Sequence, residues 1–98
     1  MNKAKQQEIL GKFKPFLWSY DVVAMDLARD KERIITNVLN YGTKEATDLL
    51  RMVYDAHDIQ SVLRRPKTGE WNAKSLNYWS IIYDIEPVNI KNVFRHLG

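Results

Sequence analysis

Apolar residues recur at helical spacing in almost every segment of this chain, and that periodicity admits one fold class. Ile34, Ile35, Val38 and Leu39 fall at i, i+1, i+4 and i+5, one face of a helix, with Asp30 as its candidate N-cap. Gly42 follows Tyr41, where a helix end favours a left-handed residue. Thr43 then caps a second helix carrying Ala46, Leu49, Leu50 and Val53. A third starts near Asp55, where Asp55 and Asp58 suit the positive end of a helix; it turns Ile59, Val62 and Leu63 inward and stops at Pro66. Residues 66–71 combine Pro, Lys, Thr and Gly and read as a loop. Asn72 is the candidate cap of a fourth helix with Leu76, Trp79, Ile82 and Tyr83 inward. Pro87 suits the first turn of a last helix bearing Ile90, Val93, Phe94 and Leu97.

At the other end, Lys3–Phe13 forms a helix with Ile9, Leu10 and Phe13 inward, ended by Lys14-Pro15. The aromatic run Phe16-Leu17-Trp18-Ser19-Tyr20 is expected to pack over the bundle as a strap. No stretch alternates long enough to read as a strand. The expected fold is therefore all-α, a small bundle of five to six helices in a single domain over residues 1–98. Its parts are an N-terminal helix and strap (1–20), a core (21–84) and a C-terminal helix (85–98). A helix-loop-helix of helix-turn-helix character falls at about 56–84.

With 98 residues and 45 % hydrophobic content, such a chain is one cooperative unit. It has no cysteine, which excludes a disulfide framework, a thiolate zinc site and a cysteine nucleophile. The net charge of +3 is unevenly placed. Residues 1–20 carry four lysines against Glu8, residues 21–60 five cations against eight acids, and residues 61–98 six cations against three acids. A basic–acidic–basic layout implies two surfaces of opposite sign, or pairing within the molecule. No charge-free run approaches the ~20 residues that span a bilayer. The N-terminal lysines are not followed by an apolar signal region. No membrane association is expected, and a cytoplasmic location is.

Catalytic chemistry finds little material here. Glycines at 11, 42, 69 and 98 are too scattered for a phosphate-cradling loop, and His57 and His96 have no metal-ligand spacing. Asp55, His57 and Asp58 are near one another, but at a helix start these types serve first as caps. No catalytic residue, metal or cofactor is expected. One enzyme-like pattern is Arg51, five residues, then His57. That spacing resembles the helical ribonucleases that pair with minimal nucleotidyltransferases, where arginine holds a phosphate and histidine moves a proton. The polar residue usual after that arginine is here Met52.

A second reading concerns DNA. Between Ile59 and Tyr83 four cations face one acid, Glu70. Arg64, Arg65, Lys67, Lys74, Ser75 and Asn77 would reach phosphates or base edges in the manner of a recognition helix. The loop before that helix is about twice the usual 3–4-residue turn. Trp79 reads as core, while Trp71, in the loop, either covers the edge of the core or marks a contact surface.

The ordered series Phe16, Trp18, Tyr20, Asp21, then Lys31, Ile34, Ile35, Val38, Leu39, then Tyr41, Gly42, Leu49, Leu50, Tyr54, Ile59, Val62, Leu63, and finally Ser75, Asn77, Tyr78, Trp79 resembles a family of short prokaryotic helical proteins. Its members look like antitoxin partners of nucleotidyltransferases of the abortive-infection toxin class. The resemblance covers about residues 16–83. It departs at Ser19, where an acid is common, in the longer loop before Ser75, and in the added last helix. It implies a non-enzymatic, antitoxin-like binder that neutralises a toxin-like nucleotidyltransferase by contact, with DNA as a further ligand. Trp18, Tyr20, Asp21 and Trp71 are the partner-contact candidates. The acids Asp21, Asp26, Asp30, Asp48, Asp55 and Asp58 are candidates for mimicking the phosphates such an enzyme binds. The oligomeric state is not legible.

Overall fold

The computed structural model describes residues 2–67 and 69–86, and among these there are five α-helices and no strand. The helices are α1 (Lys3–Phe13), α2 (Lys31–Tyr41), α3 (Lys44–Val53), α4 (Ala56–Arg64) and α5 (Ala73–Ile82). Two 3-10 turns, Lys14–Phe16 and Val22–Ala24, lie between α1 and α2. The expected last helix from Pro87 lies outside the described residues.

Local chemistry starts most of these helices where the sequence indicates. Asn2 accepts from the Lys5 amide at 2.8 Å, Thr43 from Ala46 at 3.2 Å, and Asp55 from Asp58 at 2.8 Å. Asn72 takes both the Lys74 and Ser75 amides. Each side-chain oxygen satisfies a donor that has no partner inside its helix.

Asp30 is the exception. Its carboxylate makes no cap to α2 and turns back to accept from the Asp26 amide at 2.9 Å and from Arg29 at 2.9 Å. Asp26 in turn accepts from the Ala28 and Arg29 amides. The two aspartates thus close a rigid turn that feeds the chain into α2, a competing local bond that propensity alone does not reveal.

Gly42 corrects the sequence reading in a second way. Its φ of −72° and ψ of 152° are extended, not left-handed. Glycine is needed for space, because a Cβ there would collide with the carbonyl oxygen of Val38.

The core is continuous through all five helices. One cluster takes in Ile9, Leu10 and Phe13 of α1, Ile34, Ile35 and Val38 of α2, and Leu50, Ile59, Leu63 and Leu76. α2 is the central element and packs against α3, α4 and α5. On α5 the buried face is Leu76, Trp79 and Ser80, whereas Ile82, expected inside, is 46 % exposed and Tyr83 is half-buried. The i, i+3, i+4 geometry places Ser80, not Ile82, on the buried stripe. Burying the Trp79 indole is compatible with its polar N–H because that group donates to the Leu39 carbonyl at 3.1 Å. The phenol of Tyr54, buried in the extended link between α3 and α4, likewise donates to Leu27 at 2.7 Å. Burial pushes its ionisation well above the ordinary tyrosine range.

α5 ends in a left-handed turn. Asp84 has φ 53°, Ile85 N–H donates to Ser80 and Asp84 N–H to Ile81, the paired bonds of a Schellman motif. Ile85 then packs against the core, so the chain folds back onto the bundle after α5. Among the described residues no helix is long and apolar enough to cross a membrane.

Candidate partner-binding surface

The strap between α1 and the Val22–Ala24 turn divides its side chains by a simple constraint. Leu17 is fully buried and pins the segment to the core, so its neighbour Trp18 has no inward slot and remains 65 % exposed. Trp18 lies against Tyr41, with ring centroids 5.0 Å apart and planes tilted by 59°. Two residues on, Tyr20 lies under Arg33, whose guanidinium carbon is 5.4 Å from the ring centroid. Arg33, Asn37 and Tyr41 stand at i, i+4 and i+8, one outward stripe of α2. The strap therefore runs along that stripe in the direction opposite to α2, pairing one aromatic with each end. A tilted aromatic pair and a cation over a ring are each favourable by roughly 0.5–1.5 kcal/mol, enough to hold the patch in shape while leaving Trp18 accessible.

Asp21, next in sequence, is exposed, and its carboxylate accepts from the Val23 amide at 3.2 Å. The other five acids proposed as phosphate mimics also have local partners. Asp26 and Asp30 close the turn before α2, Asp55 caps α4, Asp48 pairs with Lys44 and Asp58 with Lys31, both at 2.8 Å. These bonds hold three of the carboxyls below the usual range. Asp26 owes this first to the Arg29 amide, Asp30 to the Arg29 side chain and Asp58 to Lys31. Four of the six acids thus make turn or cap bonds, and the other two, Asp48 and Asp58, are in ion pairs with lysines.

The helix-loop-helix presents a different surface. Arg64, Arg65, Lys74 and Asn77 are exposed; Lys67 is also exposed and sits 3.8 Å from Glu32. Ser75 is half-buried and donates its hydroxyl to the Asn40 carbonyl, so it faces α2 and not solvent. Asn40 is the residue that sequence reading missed. Its side chain donates to the Glu70 carbonyl at 2.9 Å and accepts from the Asn72 amide at 2.9 Å, clamping the loop to the end of α2. The available signal was a poor helix former, with both a donor and an acceptor, in the last turn of an apolar helix.

Trp71 resolves against the contact reading. It is only 3 % exposed and belongs to the core, so it is a structural anchor of the loop and not an interface residue.

The arginine and histidine of the ribonuclease pattern lie on different helices, Arg51 in α3 and His57 in the first turn of α4, parted by the extended Tyr54. Arg51 Nε donates to the Tyr83 hydroxyl at 2.9 Å, and the guanidinium stacks over Tyr83 and Trp79. Its polar face is engaged with α5 and not with His57. Among the described residues no group of three or more His, Cys, Asp or Glu converges as a metal site would require.

No curated protein matches the chain, and no solved structure does. A family model, described as a family of unknown function (DUF6922), matches residues 13–63. The matched span begins at the end of α1, takes in the strap, the Asp26–Asp30 turn and α2 to α4, and stops before the α4–α5 loop. Trp18, Tyr20, Arg33 and Tyr41 fall inside it; the basic residues from Arg64 onward fall outside. Since the match spans more than half of the chain, this protein belongs to the DUF6922 family.

Proposed function

We propose that this protein is a non-enzymatic binding module that acts by direct contact, anchored by Trp18 and its neighbours Tyr41, Tyr20 and Arg33. The observation that carries this reading is Trp18 itself, two-thirds exposed yet held in one place by Tyr41 and by buried Leu17. Aromatic and arginine side chains that are prearranged dominate the energetics of interfaces, because little entropy is lost on docking. The antitoxin-like resemblance supplies the finer proposal, a toxin-like nucleotidyltransferase as the protein neutralised.

Co-expression with the product of the adjacent gene tests both levels. Stable co-purification that Trp18→Ala with Tyr41→Ala reduces by at least about tenfold, roughly 1.4 kcal/mol, supports the module, provided helicity is unchanged. Association that ignores both substitutions sinks the proposed surface. Relief of toxicity by this chain, or its failure, decides the finer proposal separately.

A second reading rests on a separate observation, the shared exposure of Arg64, Arg65, Lys74 and Asn77 across the helix-loop-helix. As a DNA-binding regulator the protein would shift its own upstream region in a gel. Arg64→Ala with Arg65→Ala would lower the salt slope by about two. An unchanged slope discards it.

A further inference from the structure

The outward face of α5 carries apolar side chains that the bundle does not cover. Lys74, Tyr78 and Ile81 stand at i, i+4 and i+7, one stripe of the helix, with Ile82 beside it. Tyr78 is 55 % exposed, Ile81 70 % and Ile82 46 %. Together they make an apolar patch on the order of 300 Å², comparable to the main patches through which small proteins make contacts. No charge interrupts it, because the chain is uncharged from Ser75 to Tyr83 and the run is bounded by one cation, Lys74, and one anion, Asp84. Both are exposed, and neither is in an ion pair among the described residues. The left-handed turn fixes Asp84 just past the last turn of α5, its N–H donating to the Ile81 carbonyl at 3.2 Å. The two charges therefore bound the stripe from opposite ends, about 15 Å apart along the helix.

A stripe with a cation at one end, an anion at the other and an apolar middle is its own complement. A twofold axis perpendicular to α5, at the level of Trp79 and Ser80, brings Tyr78 of one copy opposite Ile81 of the other. The same register brings Lys74 opposite Asp84, and the twofold axis makes each of these contacts twice, as an isologous interface requires. A parallel arrangement does the reverse. It sets Lys74 beside Lys74 and Asp84 beside Asp84, and like charges across an interface are repulsive.

We propose that α5 pairs antiparallel with α5 of a second copy of this chain, Tyr78 against Ile81 and Lys74 against Asp84. The apolar side chains and the Lys74 stem offer roughly 400 Å² per protomer, at the low end for a specific interface, so the dimer is weak and reversible. Its contacts come from α5 and the Asp84 turn and not from Trp18, Tyr20, Arg33 or Tyr41. A dimer would thus present the Trp18 surface twice, and a target with two matching sites would be held by avidity. Pairing engages Lys74, so a second copy and DNA would compete for this face.

Sedimentation equilibrium of the full chain from about 1 μM to 1 mM tests this, with a reversible monomer–dimer equilibrium and a Kd on the order of 100 μM expected. Ile81→Asp places two anions at the centre of the interface and should raise that Kd at least about tenfold, with circular dichroism confirming the fold. Lys74→Glu and Asp84→Lys, each alone, should weaken pairing severalfold because both ends then carry like charges. An equimolar mixture of those two chains restores opposite charges at both ends and should associate to within about twofold of the parent chain. A chain that stays monomeric at 1 mM overturns the proposal and leaves the face to a different protein. So does a dimer that ignores Ile81→Asp, or a mixture that associates no better than either charge variant alone.

Discussion

Two surfaces built from neighbouring helices behave in opposite ways, and each holds one of the two tryptophans that the sequence offers as contact candidates. Along the outer stripe of α2, the strap turns Leu17 inward and displays Trp18 on Tyr41. Between α4 and α5, the loop turns Trp71 inward and displays charge, with Asn40 tying its backbone to α2. The lesson is that a short connecting segment has one inward slot to fill. Where an aliphatic neighbour takes it, the indole becomes surface; where the indole takes it, the polar neighbours do.

Truncating each tryptophan should separate the two regions most widely. Trp71→Ala empties a buried site and is expected to cost about 3–5 kcal/mol, lowering the melting midpoint by on the order of 15 °C or more. Trp18→Ala should cost about 1 kcal/mol or less, since it loses mainly the pairing with Tyr41. Thermal denaturation of the two variants side by side checks this, and equal costs would refute the division.

Asn40→Ala comes next. It leaves the Asn72 amide and the Glu70 carbonyl without their partner, for a loss of about 1–3 kcal/mol. Hydrogen exchange at Asn72 should accelerate while amides in the middle of α1 stay protected, because the loop is released before the core opens.

Acid also acts unequally on the two regions. Asp26, Asp30 and Asp58 have folded-state ionisation lowered by their bonds, so the stability they contribute is complete above the unfolded carboxyl value, near pH 4, and is lost as pH falls below it through the folded values. The turn entering α2 and the Lys31–Asp58 bridge should therefore loosen on acidification before the Asn40 clamp, which has no titrating group. Asp58→Asn should lower stability at neutral pH and flatten the acid limb of an unfolding curve.

The smallest expected effect is at Asp84, the non-glycine residue of positive φ among those described. Asp84→Gly removes the strain of a left-handed conformation and should be stabilising by up to about 1 kcal/mol. A chemical-denaturation midpoint that falls instead would show that the aspartate contributes something beyond its backbone.

Much of the bundle is legible in the sequence. Thr43, Asp55 and Asn72 cap the helices assigned to them, Ile9, Leu10 and Phe13 face inward, and Pro66 ends α4, because each of these depends on residues within one turn of the chain. The all-α class, the helix starts at those caps and the apolar stripes follow from local pattern, since backbone satisfaction and hydrophobic period are local properties. Long-range packing settles which tryptophan is buried, that Asp30 serves its own turn and not α2, that Ser80 displaces Ile82 from the core, and that Asn40 reaches 30 residues onward to Glu70. Those outcomes depend on competition for space and for hydrogen-bond partners between segments far apart in sequence, which no local pattern records.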